Sequence, residues 1–392
     1  MREETPLFYD ESLERWFVTR HGDVRACLRD RRLGRNFRHV GSQDEFAAAE
    51  PLDPRWHAFW DSERWSLLWL EPPEHTRIRK LVAAAFTPRS VEALHGPCAE
   101  LAHELLPDGR FDLLRDFGQP YSIAVICKLL GVPTDRGRDL LDWSHTMVKM
   151  YELDTTLAQA EAATQAAAEF RDYVLHVVGE RRREPQDDLV TRLVEVEVEG
   201  RRLTDAELVS TIIVLLNAGH EATVNTLGNG VLALMRHPAQ WECLVDGSVA
   251  PVAALEELMR YDPPLQLFER WVLEDGVEIA GEPVPRGEKV ALLFGSANRD
   301  PRVFADPDDF DVTRENAAAT SFRIRVCSGG SSQSRLQRSL SQKACQRGSS
   351  GSAAANSSSE PMWRKLRPRR RSRRQARTSA WRVTNQRSRR SS

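Results

Sequence analysis

The sequence predicts a mostly α-helical fold with a small β region. A capping box, Thr204-x-x-Glu207, begins a nearly unbroken apolar run that continues to Met235. Helical apolar spacing recurs between about residues 90 and 185, and strand-like alternation becomes frequent only from Phe268 onward. Because a helix that is apolar nearly all round lies inside a large protein, we expect the helix over 203–235 to be the centre of the fold.

Shorter elements precede the helical region. Arg15–Thr19 predicts a strand, and a helix is expected to begin after Gly22-Asp23. The stretch 34–64, with Gly34, Gly41, Pro51 and Pro54, predicts a lid or binding loop because it is too long for a simple connection. Pro72-Pro73 then ends one segment and starts the next helix.

Several helices are predicted before the central one, around Leu101–Leu106, Ile123–Leu130, Asp139–Tyr151 and Thr156–Val178. The charged stretch Gly179–Asp188 predicts a linker between the last of them and the central helix.

After the central helix, Pro238 and Pro251 each predict a helix start, and Pro263-Pro264 ends the second of these helices. Strands are then expected at Arg270–Leu273, Val277–Ile279 and Lys289–Phe294.

Composition excludes several classes of protein. Apolar residues make up 41% of the 392, enough for a substantial core, and the six cysteines show no C-x-x-C spacing. This argues against a disulfide framework or a zinc site and for a reducing compartment. Because neither a signal peptide nor an apolar run of membrane-spanning length is present, we expect a cytoplasmic protein without a membrane partner.

Polar residues interrupt the central helix halfway along its length. Gly219, His220, Glu221 and Thr223 stand between two apolar runs. Burying an unpaired carboxylate is costly, and glycine weakens a helix by about 1 kcal/mol relative to alanine. The interruption therefore predicts a functional site.

Two further pairs have helical spacing. His75 and Arg79 are four residues apart and share one helix face, which on spacing alone favours a solvated basic stripe over a pair of donors to an anionic ligand. Glu257 and Arg260 are three apart and can pair, but any surface helix offers such a pair.

Together and in this order, these motifs resemble the cytochrome P-450 superfamily of haem-thiolate monooxygenases in its soluble bacterial form. The resemblance extends from about Arg15 to Asn316. Ala218-Gly219-His220-Glu221 matches the family's A/G-G-x-D/E-T pattern, and Glu257-Leu258-Met259-Arg260 matches its E-x-x-R pair.

Further matches concern ion pairs and the cofactor. By resemblance, Arg314 completes a structural ion-pair triad with Glu257 and Arg260. His75, Arg79 and Arg270 match the donors to the haem propionates.

The resemblance implies a cytochrome P-450 fold over residues 1–316 and haem b as the cofactor. It implies that one atom of O2 is inserted into a small hydrophobic organic substrate, with electrons from a ferredoxin or flavodoxin-type donor. The small pair Ala218-Gly219 would let oxygen and substrate approach the iron. Glu221 and Thr223 would relay protons to reduced oxygen.

The chain departs from the family pattern at two places. Ala222 occupies the position of the usual threonine, and the hydroxyl comes one residue later, at Thr223, about 100° further round the helix. Beyond Asn316 the family expects F-x-x-G-x-H-x-C-x-G, whose cysteine thiolate ligates the iron. Here Cys327 follows Phe322 by five residues rather than seven, without the histidine. Cys327 is the predicted metal ligand.

Residues 317–392 differ in character from the rest of the chain. They contain 19 of the 55 Lys and Arg but only one of the 57 Asp and Glu. Composition predicts a disordered Ser/Arg-rich low-complexity tail. A basic arm for nucleic acid is one alternative. The hypothesis we prefer is a frameshift near codons 317 to 325, which would replace the family's C-terminal segment by out-of-frame translation.

Two other functions remain open. The chain could be a catalytically impaired relic of the family that lacks a proper haem-ligand loop. It could also be a basic-tailed nucleic-acid-binding protein. Nucleic acid is not an expected partner, because the tail interleaves only Trp363 and Trp381 with its basic residues.

Overall fold

The computed structural model describes residues 2–41, 46, 53–87, 92–152 and 155–315. The predicted tail, 317–392, with its Cys327, lies outside the described residues. Helices dominate, and a small sheet lies beside them, as the sequence predicts.

The helices are α1 (His21–Cys27), α2 (His57–Glu63), α3 (Glu74–Ala85), α4 (His95–Leu105), α5 (Gln119–Leu130), α6 (Gly137–Val148), α7 (Leu157–Arg183), α8 (Leu189–Glu195), α9 (Asp205–Arg236), α10 (Pro238–Val245), α11 (Pro251–Tyr261) and α12 (Phe294–Ala297). The strands are β1 (Leu7–Asp10), β2 (Arg15–Val18), β3 (Leu33–Gly34), β4 (Leu267–Val272), β5 (Val277–Ile279), β6 (Glu282–Val284) and β7 (Lys289–Leu293). Within the described residues, no helix combines the length and apolar character needed to cross a membrane.

The central helix, α9, is a single helix of 32 residues. Its predicted capping box is present: the Thr204 hydroxyl accepts from the backbone N–H of Glu207 at 3.3 Å, and the Thr204 N–H donates to Glu207 Oε2 at 2.9 Å. Glu207 also pairs with Arg77 on α3. The start of α9 is therefore fixed both locally and by a neighbouring helix.

The main hydrophobic core surrounds the first half of α9. Ile212 and Leu216 of α9 pack with Leu130 of α5 and with Phe170 and Val174 of α7, in one cluster of buried residues. Since this half of α9 is buried nearly all round, its position in the fold is set by apolar burial.

Five strands form one sheet in the order β1-β2-β7-β4-β3, and β5 and β6 form a separate hairpin. The β2–β7 pair is parallel, whereas β7–β4 and β4–β3 are antiparallel. Pairing of Gly34 with Trp271 brings the segment after β3 beside Arg270 of β4. The sheet thus joins two distant parts of the chain at a site described below.

The predicted linker Gly179–Asp188 is wrong in its first half, because α7 continues to Arg183. Arg181 is buried: its Nε donates to Asp188 Oδ2 at 2.6 Å, and its Nη2 donates to the carbonyl of Gly131 at 2.5 Å. The charged residues along this stretch predict solvent exposure. The side chain of Arg181 is nevertheless buried, because Asp188 and Gly131 accept its hydrogen bonds.

Gly131 is required at this contact. Its φ is +76°, and a Cβ placed there would clash with the side chain of Asp188. We expect Gly131→Ala to destabilise the fold by about 3 kcal/mol, since it adds left-handed backbone strain and displaces the partner of Arg181. Gly200 has a φ of +73° but open space around it, so Gly200→Ala should lose only about 1 kcal/mol. Equal melting temperatures for the two variants would contradict this account.

The predicted loop 34–64 was also partly wrong, because it contains α2. The buried side chain of Phe59 anchors this helix, and Glu63 at its C-terminal end is fully buried. Burial raises the pKa of Glu63 to about 7, and the nearby polar groups of Tyr151, Trp69 and Ser66 offset this only in part.

The raised pKa of Glu63 predicts a pH-dependent stability. Between about pH 4.5 and 7 the folded chain keeps a proton on Glu63 that the unfolded chain loses, so stability falls as the pH rises through this window. Removing the charge with Glu63→Gln should therefore stabilise the protein by up to about 3 kcal/mol at pH 8 and by much less at pH 5.

Thermal unfolding followed by circular dichroism at the two pH values tests this prediction. Asp61→Asn, on the exposed face of the same helix, is the matched control and should change little at either pH. A gain for Glu63→Gln that is the same at pH 5 and pH 8 would contradict it.

Candidate active site

The polar interruption does not break α9. The hydroxyls of Thr223 and Thr226 donate to the carbonyls of Gly219 and Ala222, each at 2.7 Å and four residues back along the helix. Such bonds satisfy the hydroxyl proton within the helix itself. Thr223, predicted to be catalytic, therefore has its proton directed at its own backbone.

One stripe of α9 is partly or fully exposed, as is Thr223 beside it, although positions 207–217 of the same helix are almost all buried. Ala218 and Asn229 are half-buried, and Ala222 and Asn225 are exposed. These four residues, the open stripe, recur every three or four positions and so share one helix face. Ala222, at the position where the family has threonine, lies in this stripe, and Thr223 lies about 100° away.

Gly219 lies at the contact between α9 and α5. A Cβ at this position would lie 2.9 Å from Cδ1 of Ile126 on α5. Its lack of a side chain therefore lets α5 and α9 approach closely, whereas Ala218 is the member of the small pair that belongs to the open stripe.

Glu221 is half-buried beside α6. Its Oε1 lies 3.2 Å from Nε2 of His145, and Nε2 of His145 lies 3.2 Å from Nε2 of His220. Burial raises the pKa of Glu221, which His145 partly offsets, and burial followed by His145 lowers the pKa of His220 to about 4. Glu221 thus holds a proton more readily than an exposed carboxylate does.

The predicted cationic donors lie on two elements. His75 is half-buried and Arg79 is exposed on α3, and burial followed by the charge of Arg79 lowers the pKa of His75. Arg270 is half-buried on β4. Burial and then Arg35 lower the pKa of Arg270 to about 10, so it is still a cation at neutral pH.

Arg35 is a residue that sequence reasoning missed. Its guanidinium lies 4.5 Å from the ring centroids of both Trp69 and Phe268, and that of Arg270 lies 4.4 Å from the Phe268 centroid. Arg35 also donates to the carbonyl of Glu269 at 3.1 Å.

In the described part of the chain, neither guanidinium forms an ion pair within 4.0 Å. Arg35 and Arg270 are therefore two neighbouring cations whose positive charge is suited to an anionic group. A lone arginine after Gly34 gives no such signal; the pairing of β3 with β4 creates the site.

The structure brings Glu257, Arg260 and Arg314 together. Nε and Nη2 of Arg260 donate to the two carboxylate oxygens of Glu257 at 2.6 and 2.8 Å, and Nε of Arg314 donates to Glu257 Oε2 at 3.2 Å. Both Glu257 and Arg260 are completely buried. By its spacing alone, the Glu257–Arg260 pair could lie on the surface of any helix. In the structure it is the centre of a buried network of ion pairs and hydrogen bonds.

The described cysteines in the two main cores are unsuited to ligate a metal as thiolates. Burial raises the pKa of Cys27 to about 12 and that of Cys127 to about 11, so both stay protonated. The predicted ligand, Cys327, lies outside the described residues.

Comparison with known proteins decides the family. A model of the Cytochrome P450 family matches residues 139–244 and 252–323. The polyketide biosynthesis cytochrome P450 PksS of Bacillus subtilis is 34% identical over 344 residues, which cover 84% of this chain and 82% of PksS. The chain belongs to the cytochrome P450 family.

Other P450 proteins agree with this assignment. The 6-deoxyerythronolide B hydroxylase of Saccharopolyspora erythraea is 37% identical, with 80% of this chain and 78% of the hydroxylase covered. The crystal structure of P450BioI with an acyl carrier protein has a TM-score of 0.73 at 29% identity, covering 81% of this chain and 80% of that one. The solved structure of PksS has a TM-score of 0.71 at 34% identity, covering 83% and 81%.

P450 proteins are monooxygenases that bind haem iron and use O2, an organic substrate and a redox partner. The described residues fit a haem on two counts. The open stripe of α9 presents a surface free of large side chains, and Arg35 and Arg270 offer cationic charge for carboxylates.

Proposed function

We propose that this P450 inserts one atom of O2 into a small hydrophobic organic substrate, with electrons from a ferredoxin or flavodoxin-type donor in the cytoplasm. The observation that carries the proposal is the open stripe on α9, a band of half-buried and exposed alanine and asparagine side chains that follows the buried first half of the central helix. Relatives named as hydroxylases of vitamin D(3) and 6-deoxyerythronolide B support an organic substrate with an apolar body.

Different residues of the chain would bind different parts of the cofactor. A bound haem would supply a redox-active iron for the reduction of O2. His75, Arg79 and Arg270 would bind its propionates, with Arg35 as an additional cation, and Cys327 would provide the thiolate. Ala218 would leave room for oxygen and substrate on the distal side.

Glu221 is the residue that would hold and deliver a proton on the distal side. It is half-buried, and burial raises its pKa, so it binds a proton more tightly than an exposed carboxylate does. Thr223 contributes less in this proposal, because its hydroxyl donates to the carbonyl of Gly219.

We further propose that residues 1–316 form the monooxygenase domain and that 317–392 are an appended tail. One observation favours the second candidate function, the impaired relic: Cys327 follows Phe322 by five residues where the family has seven. A displaced ligand loop would bind haem weakly or not at all.

An absorbance spectrum of the purified full-length chain decides between the two. The proposal predicts a thiolate-type Soret band after reduction and addition of carbon monoxide, and loss of that band in Cys327→Ser. A folded wild-type protein that shows no such band after haem supplementation would contradict the proposal and identify the relic. Circular dichroism of the same samples reports folding.

A further inference from the structure

Three potential metal ligands converge between α6 and α9, on His145, His220 and Glu221. One ligand atom from each residue lies within 4.8 Å of the other two. Nε2 of His145 is 3.2 Å from both Nε2 of His220 and Oε1 of Glu221. Two imidazoles and one carboxylate are a donor set used for divalent transition metals.

Two of the three spacings between these atoms match those of ligands bound to one ion. Two ligand atoms that each lie about 2.0 to 2.1 Å from a tetrahedral zinc ion are separated by about 3.3 Å. The two separations that involve Nε2 of His145 are each 3.2 Å, close to this value, and the third, between the ligand atoms of His220 and Glu221, is at most 4.8 Å.

With Glu221 ionised, hydrogen bonds leave one contact of this arrangement unsatisfied. The Ser122 hydroxyl donates to the carbonyl of His220 at 3.5 Å and lies 3.2 Å from His220 Nδ1, from which it can accept. This places the His220 proton on Nδ1 and leaves a lone pair on Nε2.

A single N–H at Nε2 of His145 would then have to serve two acceptors, Nε2 of His220 and Oε1 of Glu221. Oε1 of Glu221 is indeed without a hydrogen-bond partner of acceptable geometry among the described residues. A cation at the centre would satisfy all three lone pairs together.

The cluster is both supported and accessible. Ser122 on α5 orients His220, as outer partners of metal-binding histidines commonly do. The side chains of His145 and Glu221 are 34% and 28% exposed, so an ion can enter from solvent, whereas His220 is completely buried.

We propose that His145, His220 and Glu221 bind one divalent ion of the zinc class, which would join α6 to α9 and leave a coordination position open. This site is separate from the haem iron, but it shares Glu221 with the proposed function and so applies to the state in which Glu221 does not deliver protons. Since Glu221 would be occupied by the ion, bound metal and proton delivery by Glu221 exclude each other.

Equilibrium dialysis of the full-length protein against Zn2+, with metal content measured by mass spectrometry, tests the site. We expect one Zn2+ per chain that is lost or weakened at least about 100-fold in His145→Gln, and weakened about tenfold in Ser122→Ala. His145 is partly exposed, so its variant should fold, and circular dichroism checks this.

His176→Gln is the matched control. His176 also lies near a carboxylate, 3.4 Å from Oε1 of Glu180, but it is exposed and has no third ligand in the described structure. Its variant should bind Zn2+ like the wild type. Failure of the wild type to retain Zn2+, or equal binding by wild type and His145→Gln, would overturn the proposal whatever the haem spectrum shows.

Discussion

Replacing Arg260 by leucine is expected to destabilise the fold by about 3 to 5 kcal/mol. Arg260 donates to both oxygens of Glu257 and to the carbonyls of Asn298, Pro307 and Asp309, at 2.6 to 3.0 Å. Without it, Glu257 would retain Arg314 as its one cationic partner among the described residues, and three carbonyls would lose a donor.

Arg136 provides a matched control, because it forms an (i, i+3) pair with Asp139 in which both side chains are nearly half exposed. Arg136→Leu should change stability by less than about 1 kcal/mol. Thermal melts and soluble yield of the two variants measure the difference. If the melting temperatures of Arg260→Leu and Arg136→Leu differed by no more than about 2 °C, the buried network would not be a major source of stability.

Glu221→Gln is expected to reduce product formation on the order of 100-fold and to increase peroxide release. The carboxyl is the proton-holding group beside the open stripe, and positioned acids contribute roughly 10²- to 10⁴-fold. Glutamine keeps the size of the side chain but cannot transfer a proton.

A substrate for this assay is first selected from a panel of apolar compounds by the shift it produces in the Soret band of the oxidised protein. Product and peroxide are then measured per NAD(P)H consumed, with a surrogate ferredoxin system. Glu242→Gln, an exposed carboxylate on α10, is the control. If Glu221→Gln left the yields of product and peroxide unchanged, Glu221 would not be part of the proton relay. The proposal that the chain binds haem would still stand after that result.

The sequence predicts local features of this fold well. The start of α9 is predicted by Thr204 and Glu207, which are three residues apart. The burial of α9 is predicted by the apolar run that follows these two residues in the sequence. Such signals are reliable because the interacting groups are neighbours in the chain. The linker at 179–183 was wrong because its arginine finds buried partners as far away as Gly131.

The candidate site likewise contains features that the sequence predicts and features that depend on distant parts of the chain. The spacing of Glu257 and Arg260 is visible in the sequence, but their complete burial depends on carbonyls 38 to 49 residues further on. His145 and Arg35 carry no sequence signal at all. Their partners, Glu221 and Arg270, are brought to them by helix packing and strand pairing.

The C-terminal member of the ion-pair network is Arg314, which lies three residues before the change of composition at residue 317. Arg314 reaches back to Glu257 and to the carbonyls of Asp306 and Asp309, at 3.0 to 3.2 Å. Every member of this network is therefore encoded upstream of the change. A gene shortened to codon 316 would still encode every described contact that ties α11 to the segment after α12.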